Sequence, residues 1–407
     1  MLLAGVWCLA YAVGATAVYA PVRQYEGSTF FDQWAFYGNV DNTTWGNVTY
    51  LDKPNAVSKK LAFINDAGNA IVKVDNTATL TLGAPGAVVN RDSIRLTSLH
   101  SYGMGSLIVI DALHIPYGCS VWPAFWTYGI ETEWPKSGEI DIIEAINNMD
   151  HNQAALHTTP GCFKGDEAKQ LGKTLQDDCS TGAGCVVAES KPNSYGKGFK
   201  DAGGGVFALV MENTGFNIWF FSRPDIPENL KSATATSSID ISGWGTPSAA
   251  FPTNRCDLNK YFPPQTLVLL TTLCGVWAGV PSIYKSSCPG GTGSCFADNV
   301  LGPPSNYDNA FWEIKYIRAY LNDGATSTPN PTSDSATTRQ ISTTTTTMTV
   351  TSGDEVTLGS DGIWTRTSTV VAQTTLESTS RSKNGAMRAR GAGIALWVLV
   401  GLTVSLL

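Results

Sequence analysis

The chain has 407 residues, a formal net charge of −7, 15% charged and 10% aromatic residues. That length holds either one large β domain with appendages or two to three ordinary domains. No dense Lys/Arg run is present, which argues against a nucleic-acid partner. The acidic balance also disfavours an anionic ligand, and a neutral polymer fits better.

The first element, residues 1–20, is apolar or small-residue throughout and ends in Val18-Tyr19-Ala20 before Pro21. It reads as a secretory signal with a weak basic region, removed after Ala20. The sequons Asn42-Thr43-Thr44 and Asn47-Val48-Thr49 follow, making Asn42 and Asn47 candidate glycosylation sites.

Residues 21–322 read as β structure: short apolar or alternating runs separated by Gly, Pro, Asn and Asp. Runs at 106–111, 266–273 and 311–320 are examples, and those at 206–211 and 216–221 flank a hairpin-like Asn213-Thr214-Gly215. No phosphate-binding glycine loop opens a helix, and no βα repeat is visible. Many short strands favour a sandwich or barrel. Cys8 leaves with the signal. Eight cysteines remain, an even number that suits disulfides in an exported chain without fixing their pairing.

Beyond Asn322 the composition changes. Residues 323–384 are rich in Ser and Thr, including Thr343 to Thr347, and read as a disordered, extended stalk. Residues 385–407 close the chain. Asn384-Gly385-Ala386, a spacer with Arg388 and Arg390, and the uncharged run from Gly391 to Leu407 together read as a glycolipid-anchor signal, with Asn384 as attachment residue. A single membrane span is the alternative reading. The expected location is therefore secreted and held at the cell surface, and a monomer is expected.

The chemistry concentrates in Gly138-Glu139-Ile140-Asp141-Ile142-Ile143-Glu144. In a strand, residues two apart share a face, so Glu139 and Asp141 point the same way. Glu144 would face the opposite side, among isoleucines, where an unpaired carboxylate is costly. A β-bulge between Asp141 and Glu144 restores it to the acidic face. The two glutamates are then four strand steps apart, roughly 13 Å between Cα atoms, and their carboxyls can lean together to the ~5–5.5 Å of retaining glycosidases. Asp141 between them can hold Glu139 or separate the pair's pKa values. A calcium site is the competing reading. Trp122, Phe125, Trp126, Tyr128 and Trp134 nearby offer flat faces suited to sugar rings.

These residues carry a family resemblance. Gly118-Cys119-Ser120-Val121-Trp122-Pro123-Ala124-Phe125-Trp126 with Gly138 to Glu144 resembles glycoside hydrolase family 16, in its fungal laminarinase-like branch. Leu156-His157-Thr158, Gly203 to Val206, Cys274 to Gly279 and Trp312 to Tyr320 extend the likeness over the whole folded region. The resemblance implies an all-β, concanavalin A-like jelly-roll sandwich with a concave substrate cleft. It implies Glu139 as nucleophile, Asp141 as its assistant and Glu144 as general acid/base, with no cofactor or metal. It also implies sugar contacts from Trp126, Trp134, His157, Trp277 and Arg91, and β-1,3-glucan or mixed β-1,3/1,4-glucan as substrate. The family often has Asp at the position of Val276 and Pro at that of Asn42. Transglycosylation through the same intermediate and non-catalytic glucan binding are the competing functions.

Overall fold

A computed structural model describes residues 18–82, 88–165 and 168–322, together with the backbone of the strands Ser327–Pro329, Thr351–Leu358, Trp364–Thr374 and Leu396–Ser405. Two compact units are present, Met1–Ser333 and Asp334–Leu407.

Two nine-stranded sheets dominate the first unit, beside a small parallel pair, Val48–Tyr50 with Arg91–Ser93. In one, Phe311–Leu321 lies between Val18–Glu26 and Ser106–His114, which is followed by Gly205–Glu212, Gly215–Ser222 and Ala249–Pro252. In the other, Gln153–His157, Glu139–Glu144, Val121–Gly129, Gln265–Leu273 and Arg95–Tyr102 lie side by side, each antiparallel to the next. Gln265–Leu273 enters between two strands that precede it by more than a hundred residues. That crossover makes the unit a jelly-roll sandwich rather than a meander.

The period-2 alternation read from the sequence sets the layers. Phe125, Leu156, Leu267 and Leu269 from the second sheet join Ile108, Ile110, Phe207, Leu209 and Ile317 from the first in one buried cluster. Each such side chain contributes about 1.5–3 kcal/mol by leaving water. The outer face of the first sheet is covered as well: Val109, Val206, Trp219 and Tyr320 pack with Leu230 and Trp244. The second sheet's outer face presents Trp122, Trp126, Glu139, Asp141 and Glu144 to a cleft instead.

All eight remaining cysteines are paired: Cys119–Cys288, Cys162–Cys256, Cys179–Cys185 and Cys274–Cys295. The first ties the helical segment after Trp277 to the residues just before Val121–Gly129, and the last closes the loop between Cys274 and Cys295.

The expected signal boundary after Ala20 falls inside the fold. Val18 pairs with Asp240 and Tyr19 with Ile239, and Ala20 pairs with Leu321. Tyr19 is fully buried, and its hydroxyl donates to Glu212. In the second unit, Trp364–Thr374 pairs antiparallel with Thr351–Leu358 and with Leu396–Ser405. The β-branched Thr and Val of this run favour the extended backbone that a stalk also needs. Asn384, the expected attachment residue, lies outside the described residues. Among the described residues no helix is long and apolar enough to cross a membrane.

Candidate active site

Gly138 opens the acid strand. Its φ is +65°, and an added Cβ would lie 2.4 Å from the Phe262 ring, so only glycine lets the chain enter here. The strand Glu139–Glu144 buries Ile140, Ile142 and Ile143 completely. Against Val121–Gly129, Glu139 pairs with Tyr128, Asp141 with Trp126 and Glu144 with Ala124, with a register shift between Asp141 and Ile143. Five steps on the acid strand thus match four on its neighbour. Tyr128, Trp126 and Ala124 share one face, and the shift brings all three acids onto that face.

The bulge has a clamp. The Asn152 side chain accepts from the Glu144 N–H at 2.9 Å and donates to the Ile142 carbonyl at 3.0 Å. Its own N–H donates to the Ser194 hydroxyl. The backbone groups that the bulge removes from the ladder are thereby satisfied, as buried polar groups must be.

Each glutamate receives an indole N–H: Trp134 Nε1 donates to Glu139 at 2.5 Å and Trp122 Nε1 to Glu144 at 2.9 Å. His157, register partner of Glu139, places Nε2 3.3 Å from Asp141 Oδ2 and 3.9 Å from Glu139 Oε1. The nearer contact is not aligned as a hydrogen bond, and Asp141 Oδ2 has no other donor. Burial raises all three carboxyls. Asp141's charge raises Glu139 further, while His157 and the Trp134 N–H oppose the rise. Glu144's charge adds to burial at Asp141, and a side-chain hydrogen bond with Glu139 opposes the rise without cancelling it. At Glu144 the Trp122 N–H and His157 oppose burial without cancelling it. Three such acids cannot all ionise near neutral pH. The orphaned oxygen favours the proton on Asp141, and the two indole donors favour charge on the glutamates in turn. Among the described residues, the one trio with metal-ligand spacing is Glu139, Asp141 and His157. Trp134 already donates to the Glu139 carboxylate there.

The cleft over these acids has a volume of about 300 Å³ and is walled by Trp122, Trp126, Tyr128 and Trp134, with Arg95 and residues 42–44 at its side. It joins apolar aromatic faces to a few convergent polar groups, the composition of a small-molecule site.

A family profile described as the XgeA-like catalytic domain of glycoside hydrolase family 16 matches residues 34–320. The chain belongs to this family. It is 40% identical over 311 residues to a Schizosaccharomyces pombe protein described as a probable glycosidase, spanning 74% of this chain and 69% of that one. It is 36% identical to the endo-1,3(4)-β-glucanase of Emericella nidulans over 75% of this chain, but spans only 48% of that relative's length. Among solved structures it is similar to laminarinase 16A of Phanerochaete chrysosporium bound to two β-glucans: 34% identity, TM-score 0.69, 75% of this chain and all of that one. A family 16 elongating β-1,3-glucosyltransferase is similar too: 36% identity, TM-score 0.67, 74% of this chain and all of that one.

Within this family 16 domain, the structure brings Glu139, Asp141, Glu144, Trp126 and Trp134 into the cleft and sets His157 against its floor. Trp277 packs edge-on against the cleft residue Trp122, 5.4 Å between ring centres, and is not itself among the residues that line the cleft. Arg91 is a correction. It is fully buried and donates to the carbonyls of Asp75, Ala78 and Val300, with its guanidinium over the Tyr307 ring. It fastens two loops and touches no cleft. Arg95 takes the cleft position, stacked between Tyr37 and Trp126 with Nε and Nη1 unpaired. The motif Arg91-Asp92-Ser93-Ile94-Arg95 contained both, and nothing in its spacing says which one faces outward. Asn152 was missed altogether, because its clamp exists only once the bulge forms.

Proposed function

We propose that this chain cleaves β-1,3-glucan internally with retention of configuration, mixed β-1,3/1,4-glucan being a second substrate. The observation that carries this reading is the three carboxyls on one face of a bulged strand, under an aromatic cleft. Glu139 attacks the anomeric carbon while Glu144 protonates the departing glycosidic oxygen. Glu144 then takes a proton from water, which displaces Glu139 and releases the sugar. Asp141, holding its proton beside Glu139, keeps repulsion on the nucleophile low. The Trp134 N–H spreads the charge that returns to Glu139 when the covalent bond breaks.

Proton NMR of laminarin digestion tests it. The first product is expected to be the β-anomer, with new reducing ends appearing inside the polymer. Glu139→Gln is expected to lower turnover by about 10³-fold or more with the fold intact. An α-anomeric first product, or turnover surviving in that variant, overturns the reading. The similarity to the elongating glucosyltransferase supports a second outcome, interception of the same intermediate by a sugar hydroxyl. Longer products at high oligosaccharide concentration are its signature.

We also propose that the protein is exported and retained at the cell surface through its C-terminal segment. The four disulfides support export. The buried Tyr19 favours signal cleavage between Ala17 and Val18, where Ala15 and Ala17 supply the small residues a signal peptidase needs. Amino-terminal sequencing of the secreted protein distinguishes Val18 from Pro21.

A further inference from the structure

We infer that an N-linked glycan on Asn42 forms part of the cleft wall and restricts which glucans enter. The inference rests on the secretory, glucan-cleaving reading above. It separates two sequons that look alike in the sequence. Asn42 is exposed and lines the cleft with Thr43 and Thr44. Asn47 is half-buried and lies outside that lining, its backbone bonded to Leu273 and Arg91.

The attachment atom is held in place. The Tyr37 hydroxyl donates to Asn42 Oδ1 at 2.7 Å, so the bond engages the amide oxygen and not Nδ2, the nitrogen that carries a glycan. Tyr37 is itself stacked on Arg95, whose other side faces Trp126. The loop cannot swing clear. The buried Asp41 carboxylate accepts from the N–H groups of Thr43, Thr44 and Gly46 at 3.0–3.1 Å, from the Thr272 hydroxyl at 2.7 Å and from the Thr44 hydroxyl. The Thr44 carbonyl in turn accepts from the Val276 N–H at 2.9 Å. Gly46 completes the anchorage: an added Cβ would lie 1.9 Å from Thr272 Oγ1. A sugar on Nδ2 therefore starts from the same cleft wall that Arg95 and Trp126 line.

The modification itself is a glycosyl transfer. The Nδ2–C1 bond forms as the C1–O bond of a lipid-diphosphate-linked oligosaccharide breaks, and the amide proton leaves with the lipid diphosphate. Addition precedes folding, so the folded loop inherits the glycan.

The test compares the full chain from a glycosylating secretory host with the same chain from an oxidising bacterial host, and with Asn42→Gln and Asn47→Gln made in the secretory host. Glycopeptide mass spectrometry reads occupancy, and KM for laminarin reads cleft access. Asn42 is expected to be occupied. The glycosylated wild type and Asn47→Gln are expected to share a KM at least fivefold above that of Asn42→Gln and of the bacterial protein. A bare Asn42, or equal KM values for the two wild-type preparations, overturns the inference. Laminarin affinity of Glu139→Gln in both glycoforms reads the same ratio without turnover, so failure of the hydrolase reading is told apart from failure of this one.

Discussion

The strands Gly205–Glu212 and Glu139–Glu144 occupy comparable inner positions in the two sheets, and they could hardly differ more. Gly205–Glu212 keeps an unbroken register with both neighbours. Both of its faces are apolar, Phe207 and Leu209 inward and Val206 and Ala208 outward. Glu139–Glu144 breaks register with both neighbours. One strand is held by its ladder and packing alone. The other gives up ladder bonds to gather three acids, and needs Asn152 to satisfy the backbone it exposes. A functional strand is thus irregular where a structural one is regular, and its repair comes from elsewhere in the chain.

Three substitutions test that contrast. Glu144→Gln is expected to lower kcat on laminarin by about 10²–10⁴-fold. An aryl glucoside whose leaving group needs no proton should recover the first step, and a burst of aryl alcohol measures it. Phe207→Ala, on the regular strand, is expected to lose about 3–5 kcal/mol in denaturant unfolding while the folded fraction keeps its kcat. Asn152→Ala should do the reverse in proportion: about 1–3 kcal/mol of stability, with a kcat loss of about tenfold as the bulge loosens, and little change in KM. Unchanged kcat in that variant would mean that the bulge holds without its clamp.

The smallest effect is in pH dependence. Burial and the charge of Glu144 raise the Asp141 carboxyl, so the folded chain binds that proton more tightly than the unfolded chain. Its contribution is complete below the ordinary aspartate pKa of about 3.9 and is lost as pH rises through the raised value. Asp141→Asn should therefore gain thermal stability relative to wild type as pH increases from about 4 toward neutral. Asp41 behaves oppositely. Burial alone would raise it, but the Thr44 and Thr272 hydroxyls and the Thr44 and Thr43 N–H groups lower it overall. Asp41→Asn should cost most stability above the ordinary aspartate range, with the difference shrinking as pH falls through the lowered value.

Much of this was legible without coordinates. The β runs at 106–111, 266–273 and 311–320 could be read from their apolar residues and flanking turn residues, and the acid spacing of Glu139, Asp141 and Glu144 demanded a bulge because the alternative buried a charge among isoleucines. Those are local constraints, written in the order of residues. Arg91 and Arg95 were not separable, since which of two nearby arginines finds three carbonyl partners depends on loops at Asp75, Ala78 and Val300. Tyr19 looked like the end of a leader because its partners, Glu212 and Ile239, lie far along the chain. Asn152 and Asn42 likewise acquire their meaning only from neighbours that folding supplies. Chain order fixes periodicity and the identity of reactive groups, because these act over a few residues. Which polar atoms are satisfied, and which face the cleft, is decided by contacts between distant segments, and no short-range pattern encodes them.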